Sequence, residues 1–422
     1  MKRRLILGER IMHVDAKTPL NCVFGAKVTG KISEENLYLA LYKIQQKHPL
    51  LRMNIDNSGK APYFVLNENI GKIPVRVSVR ASDQDWLLQS KVEWYKLFNN
   101  NNEPLARVIW LQGETESDLL LVLPHCICDG TTILNLMREL MALIDQPEQD
   151  LIPYPSFTSV KELLPDDFNA TKASHFKGKI FAALGRLFFF FKSTSYHSSE
   201  QLNYAINWKM NAADTQGLLQ KCKAENTSVH AAICVAFMEA FKQVQGNKAH
   251  GKVICPVDIR RFVPAIKEDT MFAFAPIAEL KTDQKENLFW NKARKIKADL
   301  EAKIAEMKVY DLLNMSEYFH SSVNKMIGFL KTTKGTHDIT LSNMGLLNIP
   351  KTYQNFNIAA IYSPTVAFPW RNANTLVVST FNGEMDFSFM SNESFFREFD
   401  AWQVKDKAMK LINENLNALV NV

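Results

Sequence analysis

The stretch Asp118-Leu-Leu-Leu-Val-Leu-Pro124-His125-Cys126-Ile127-Cys128-Asp129-Gly130-Thr131 decides how this chain is read. From Leu119 to Leu123 every position is apolar, as expected for a central strand covered on both faces. The segment from Thr131 to about Ile144 carries Ile133, Leu136, Leu140 and Leu143 on one stripe and predicts a helix. His125 therefore stands between a buried strand and a helix, held by a rigid element yet able to face a cleft. Gly130 allows a tight turn into the helix, and Thr131 is placed to cap it. An imidazole with an unperturbed pKa of about 6.5 suits proton abstraction near neutral pH. Asp129 is placed to orient His125 or to pair with a cation elsewhere.

Outward from this point, strands and helices alternate. Upstream, Asn21 to Val28 and Val75 to Val79 alternate like strands, and Ala106 to Leu111 forms a hairpin with the central strand. Ser33 caps a predicted helix with Leu37, Leu41 and Ile44 on one face, which ends near His48 because Pro49 follows. Leu50 to Ile55 is expected as a strand. Downstream, Asn203 to Trp208, Val253 to Asp258, Asp338 to Ser342, Ala359 to Tyr362, Thr375 to Ser379 and Met385 to Phe389 are expected strands. Val229 to Gln243, Phe289 to Ala305 and Glu398 to Leu419 are expected helices. Pro153, Pro155 and Pro165 and a Phe-rich segment interrupt the pattern, marking a crossover between two halves.

At 422 residues, two domains of roughly 200 residues are the expectation. Hydrophobic content of 46% and charged content of 22% are those of a folded chain rather than a disordered one. The net charge of +6 is spread along the sequence without a basic run, so no nucleic-acid partner is expected. The 6 cysteines follow no dense framework, which fits a reducing, cytoplasmic setting. Met1 to Arg10 lacks the apolar core of a signal peptide. The apolar run 180–191 is too short to span a membrane. It fits either an interfacial helix or a crossover helix packed on a domain, and the second is favoured.

The loop resembles the His-x-x-x-Asp-Gly signature of chloramphenicol acetyltransferases, alcohol acyltransferases, polyketide-associated acyltransferases and peptide-synthetase condensation domains. Further similarities follow in family order: Gln46-Lys-His-Pro-Leu-Leu-Arg52, Pro104-Leu-Ala-Arg-Val, Ser228-Val-His-Ala-Ala-Ile, Pro256-Val-Asp-Ile-Arg-Arg261 and Ser342-Asn-Met-Gly345. Together they span about residues 5 to 420. The resemblance implies an α/β fold of two chloramphenicol acetyltransferase-like α+β sandwiches with a tunnel at their interface. Residues 1–165 would form the first domain, 166–200 the crossover and 201–422 the second domain.

By the same resemblance, His125 is the general base that moves an acyl group from a CoA thioester to an alcohol or amine, the acceptor being lipid-like in one version. Asp129 and Gly130 shape the loop, Arg260 is the expected partner of Asp129 with Arg261 as second choice, and Ser342 and Asn343 lie near the substrate. Acyl-CoA would be a co-substrate, with no permanently bound cofactor and no metal. Cys126 and Cys128 read as packing residues rather than zinc ligands, because structural zinc favours Cys-x-x-Cys pairs. The alternatives are a condensation enzyme using carrier-bound acyl groups in trans and a silent ligand-binding member.

The sequence also departs from the family pattern. Pro124 stands where condensation domains have a first His. Asp386-Phe-Ser-Phe-Met matches only the start of the plant acyltransferases' Asp-Phe-Gly-Trp-Gly segment. No oxyanion donor is assigned.

Overall fold

The computed structural model describes residues 1–59, 61–98, 102–168, 180, 185, 188, 202–283 and 285–417. The first half contains β1 (Lys2–Arg4), α1 (Leu7–Met12), β2 (Asn21–Gly30), α2 (Glu34–Lys47), β3 (Met53–Asp56), β4 (Tyr63–Leu66), β5 (Val75–Val79), α3 (Asp85–Glu93), β6 (Arg107–Gln112), β7 (Glu116–Pro124) and α4 (Gly130–Asp145). The second contains β8 (Asn203–Met210), α5 (Ala212–Ala224), α6 (Val229–Gln245), β9 (Lys252–Pro256), β10 (Ile277–Lys281), α7 (Phe289–Ala305), α8 (Val309–Ser316), α9 (Val323–Thr332), β11 (Ile339–Leu346), β12 (Phe356–Val366), β13 (Thr375–Phe381), β14 (Glu384–Asn392) and α10 (Glu398–Asn417).

These elements build two α/β domains. The first has a 5-stranded sheet in the order β12-β2-β7-β6-β5, and the second a 6-stranded sheet in the order β10-β9-β11-β13-β14-β8. A small sheet, β1-β4-β3, flanks the first. β7 runs antiparallel to both β2 and β6, with Asn21 opposite Pro124 and Arg107 opposite Val122. Leu119 to Leu123 are buried throughout, as a strand flanked on both edges and covered on both faces requires.

Several local expectations shift. Pro49–Arg52 is a 3₁₀ turn, and the strand begins only at Met53, because Pro49 at the start of the turn pre-sets its backbone. α4 starts one residue early, at Gly130, so Asp129 rather than Thr131 is its N-cap, accepting from Thr132 N at 2.9 Å. β12 lies within 201–422 in sequence yet hydrogen-bonds to β2 in the first sheet. It meets the second sheet through a buried polar seam. Asp386 accepts from Ser363 N at 2.6 Å and from Asn207 Nδ2 at 3.1 Å, and Ser363 Oγ lies 2.8 Å from Ser379 Oγ. Most of 166–200, including most of the Phe-rich run, lies outside the described residues. Among the described residues, no helix is long and apolar enough to cross a membrane.

The N-terminus is pinned by one ion pair. Arg3 and Glu9 are 1% and 0% exposed, and the guanidinium meets the carboxylate through two bonds of 2.7 and 2.9 Å. Glu9 also accepts from Ile6 N at 2.8 Å, which fixes the first turn of α1. Removing one partner strands the other charge in the core. Glu9→Gln is therefore expected to lower unfolding free energy by roughly 3–5 kcal/mol, read from chemical denaturation. An unchanged midpoint would show that the pair does not hold this end of the chain.

Candidate active site

His125 follows β7 directly, and its backbone N donates to Leu20 O at 2.8 Å. Its Nδ1 lies 2.8 Å from Cys128 O. A backbone carbonyl only accepts, so Nδ1 keeps a proton and Nε2 is the nitrogen that gains or loses one. The ring is also 5.6 Å from that of Phe368, on the segment after β12.

The loop is held from the other half of the chain. Arg260 reaches Asp129 through two bonds, Nη1 to Oδ2 at 2.6 Å and Nη2 to Oδ1 at 3.1 Å. It also donates to Thr132 Oγ1 at 3.0 Å, Thr270 O at 3.1 Å and Asp258 Oδ1 at 3.2 Å. Burial acts to lower the Arg260 pKa, but the charge of Asp129 and its hydrogen bonds more than offset this and raise it. Arg261 is exposed and lies against the Phe262 ring. Asp129 thus spends its oxygens on Arg260 and on the helix N-terminus, not on His125. Thr131 Oγ1 donates to Asp258 at 2.7 Å, and Asn135 Nδ2 to Glu268 O at 2.8 Å.

Gly130 is not in the left-handed region; the glycines with positive φ lie elsewhere. Nor does space demand glycine there, since a Cβ would meet Met344 at 3.7 Å, an ordinary van der Waals contact; the expected tight turn is made without special backbone geometry. That contact brings the Ser342-Asn343-Met344-Gly345 stretch, which lies within β11, against the loop. Ser342 and Asn343 lie in the middle of β11, opposite Val377 and Val378, where the register shifts between Asn343 and Leu346. Asn343 Oδ1 accepts from Gly345 N at 2.8 Å, and Gly345 adopts φ +67°. Both Ser342 and Asn343 are half-buried. A nearby surface cavity is lined by Leu20, Asn21, Pro124 and Cys126, on either side of His125 in sequence but not by it.

One neighbour of His125 is absent from the sequence reading. Cys22, on β2, brings its thiol within 4.8 Å of both the His125 ring nitrogen and the Cys128 thiol. Cys22 stands opposite Leu123, two residues before the histidine. Donation from Cys128 brings the Cys22 thiol down to about 5, burial opposing it and the His125 charge assisting. Burial pulls His125 down, but the Cys22 charge and hydrogen bond outweigh it and raise its pKa to about 9. Cys126 and Cys128 are buried, and burial pushes both thiols up.

A base works when unprotonated, so its activity appears as pH rises through its pKa. Removing Cys22 removes what raises His125 and leaves burial, which lowers it. If His125 is the base, the acid limb of kcat/KM should move to lower pH in Cys22→Ala. An unmoved limb would uncouple the two groups.

Residues 202–389 match the family model described as phthiocerol/phthiodiolone dimycocerosyl transferase C-terminus. Polyketide synthase associated protein 5 from Mycobacterium tuberculosis superposes with a TM-score of 0.68 at 15% identity, covering 98% of each chain. Over nearly its whole length the chain therefore has the fold of that protein, and much of its second half also matches the transferase family model. Trichothecene 15-O-acetyltransferase from Fusarium sporotrichioides gives a TM-score of 0.74 at 13% identity, over 98% of this chain and 95% of that one. The epimerization domain from the third module of tyrocidine synthetase B gives 0.65 at 13%, over 99% and 96%. The same fold thus hosts an epimerization domain as well as an O-acetyltransferase, so chemistry has to be argued from the site. No curated protein matches the chain in sequence.

Proposed function

We propose that this chain is an acyltransferase that moves an acyl group from a CoA thioester to an alcohol or amine, with His125 as general base. The observation that carries the reading is the His125 ring itself, with Nδ1 tied to Cys128 O and Nε2 left as the basic nitrogen. His125 Nε2 takes the proton of the acceptor OH or NH as the heteroatom attacks the thioester carbonyl. The tetrahedral intermediate collapses, the C–S bond breaks, and the imidazolium returns the proton to the leaving thiolate.

The two substrates would approach through a tunnel between the domains. Support for that placement is that Arg260, Met344 and Phe368, all from the second half, close on a loop of the first. Ser342 and Asn343 would contact the thioester or its pantetheine arm. The O-acetyltransferase among the structural relatives supports an oxygen acceptor.

The test is thiol release from acetyl-, medium- and long-chain acyl-CoA, with pooled alcohols, amines and lipid extract as acceptors. Release that requires an acceptor supports the reading and identifies donor length. If free CoA thioesters fail while acyl groups on a carrier protein are turned over, the enzyme is a condensation catalyst acting in trans. Tight ligand binding without turnover would make it a silent member.

A further inference from the structure

A second group of soft ligands lies outside the loop. His230 and Cys234 are four residues apart on α6 and so share one face of the helix. Cys255 is the penultimate residue of β9. The ring nitrogen and the two thiols all lie within 4.8 Å of one another. Cys234 Sγ is 3.6 Å from His230 Nε2. Buried cysteines usually behave as small hydrophobes; here an imidazole nitrogen is turned onto two of them.

We propose that His230, Cys234 and Cys255 form a zinc site in the second domain, independent of the acyl-transfer reading. Zinc takes thiolate at about 2.3 Å and imidazole at about 2.0–2.1 Å with tetrahedral angles, which sets adjacent S and N roughly 3.6 Å apart. The observed Cys234–His230 separation already meets that spacing. Two thiolates and a neutral imidazole cancel the ion's charge, so its burial leaves no uncompensated charge. Cys234 and Cys255 are buried and His230 is partly exposed, which gives the ion a way in. Three protein ligands leave the fourth position to water. This departs from the expectation of no metal drawn from Cys126 and Cys128. The ion would join the start of α6 to the end of β9, from which the chain runs through Asp258 to Arg260 and the loop.

The experiment uses the full chain, reduced and stripped with a chelator, titrated with Co²⁺ and then Zn²⁺. One equivalent of Co²⁺ should give thiolate-to-cobalt charge-transfer bands and the intense d–d bands of a tetrahedral site. Zn²⁺ should then displace it and raise the thermal midpoint. Cys255→Ser should lose the bands, and the partly exposed His230→Ala should weaken uptake roughly tenfold or more with an unchanged far-UV spectrum. Cys22→Ala and Cys128→Ala should keep the bands. Three results would overturn the proposal: no tetrahedral bands in the unaltered chain, full uptake by His230→Ala, or bands lost in Cys22→Ala but kept in Cys255→Ser. The last would place the ion at the loop.

Discussion

His125→Ala is expected to lower kcat/KM by about 10²–10⁴-fold, the usual contribution of a positioned general base. The fold should survive. His125 sits in a single 3₁₀ turn, its ring is partly exposed, and the packing of β7 is carried by Leu119 to Leu123. Its tie to the fold from Leu20 O is made by the backbone N and remains in the variant. The loss should therefore appear in rate with the thermal midpoint close to that of the unaltered chain. A variant that both melts early and loses activity would point to a structural histidine. An active variant would remove His125 from the mechanism.

Arg260→Leu should act through stability first. The guanidinium joins Asp129, Asp258, Thr132 and Thr270 across the two halves and is only 8% exposed. Its loss leaves the Asp129 carboxylate half-covered at the start of α4 without a counter-charge. Removing one member of such a pair costs roughly 3–5 kcal/mol, and the cost should appear as a lower denaturation midpoint. Activity should fall with it, because Asp129 caps α4 and sets the turn that carries His125. Arg260→Lys keeps the charge but not the two-pronged geometry, so it should recover only part of the stability. By contrast, Arg261→Ala, at an exposed position, should change little. If Arg260→Leu is as stable as the unaltered chain, the loop is not held this way.

The loop was legible because its determinants are local. An unbroken apolar strand, a histidine and a periodic helix within residues 118–144 need no distant partner to be recognised. The Asp129–Arg260 juxtaposition entered through family resemblance; spacing alone does not pair residues 129 and 260. Cys22 stayed hidden because its place beside His125 depends on the register of β2 against β7, with Asn21 opposite Pro124. An alternating strand shows which residues share a face, not which strand end they reach. The same limit hid β12. Ala359 to Tyr362 reads as an apolar strand in either sheet, and only the pairing with β2 assigns it to the first. Phe368 follows β12 and reaches His125 as a consequence of that crossing. Asp129 and Thr131 exchanged roles because either can cap a helix and one residue of register decides.

The most direct test of His125-dependent acyl transfer is to count both products at once. Free thiol and acylated acceptor are measured from one acyl-CoA with the unaltered chain and with His125→Ala. The account predicts one acylated acceptor for each thiol released, and neither above background in the variant. Thiol released without acceptor acylation, or coupled products persisting in His125→Ala, would contradict it.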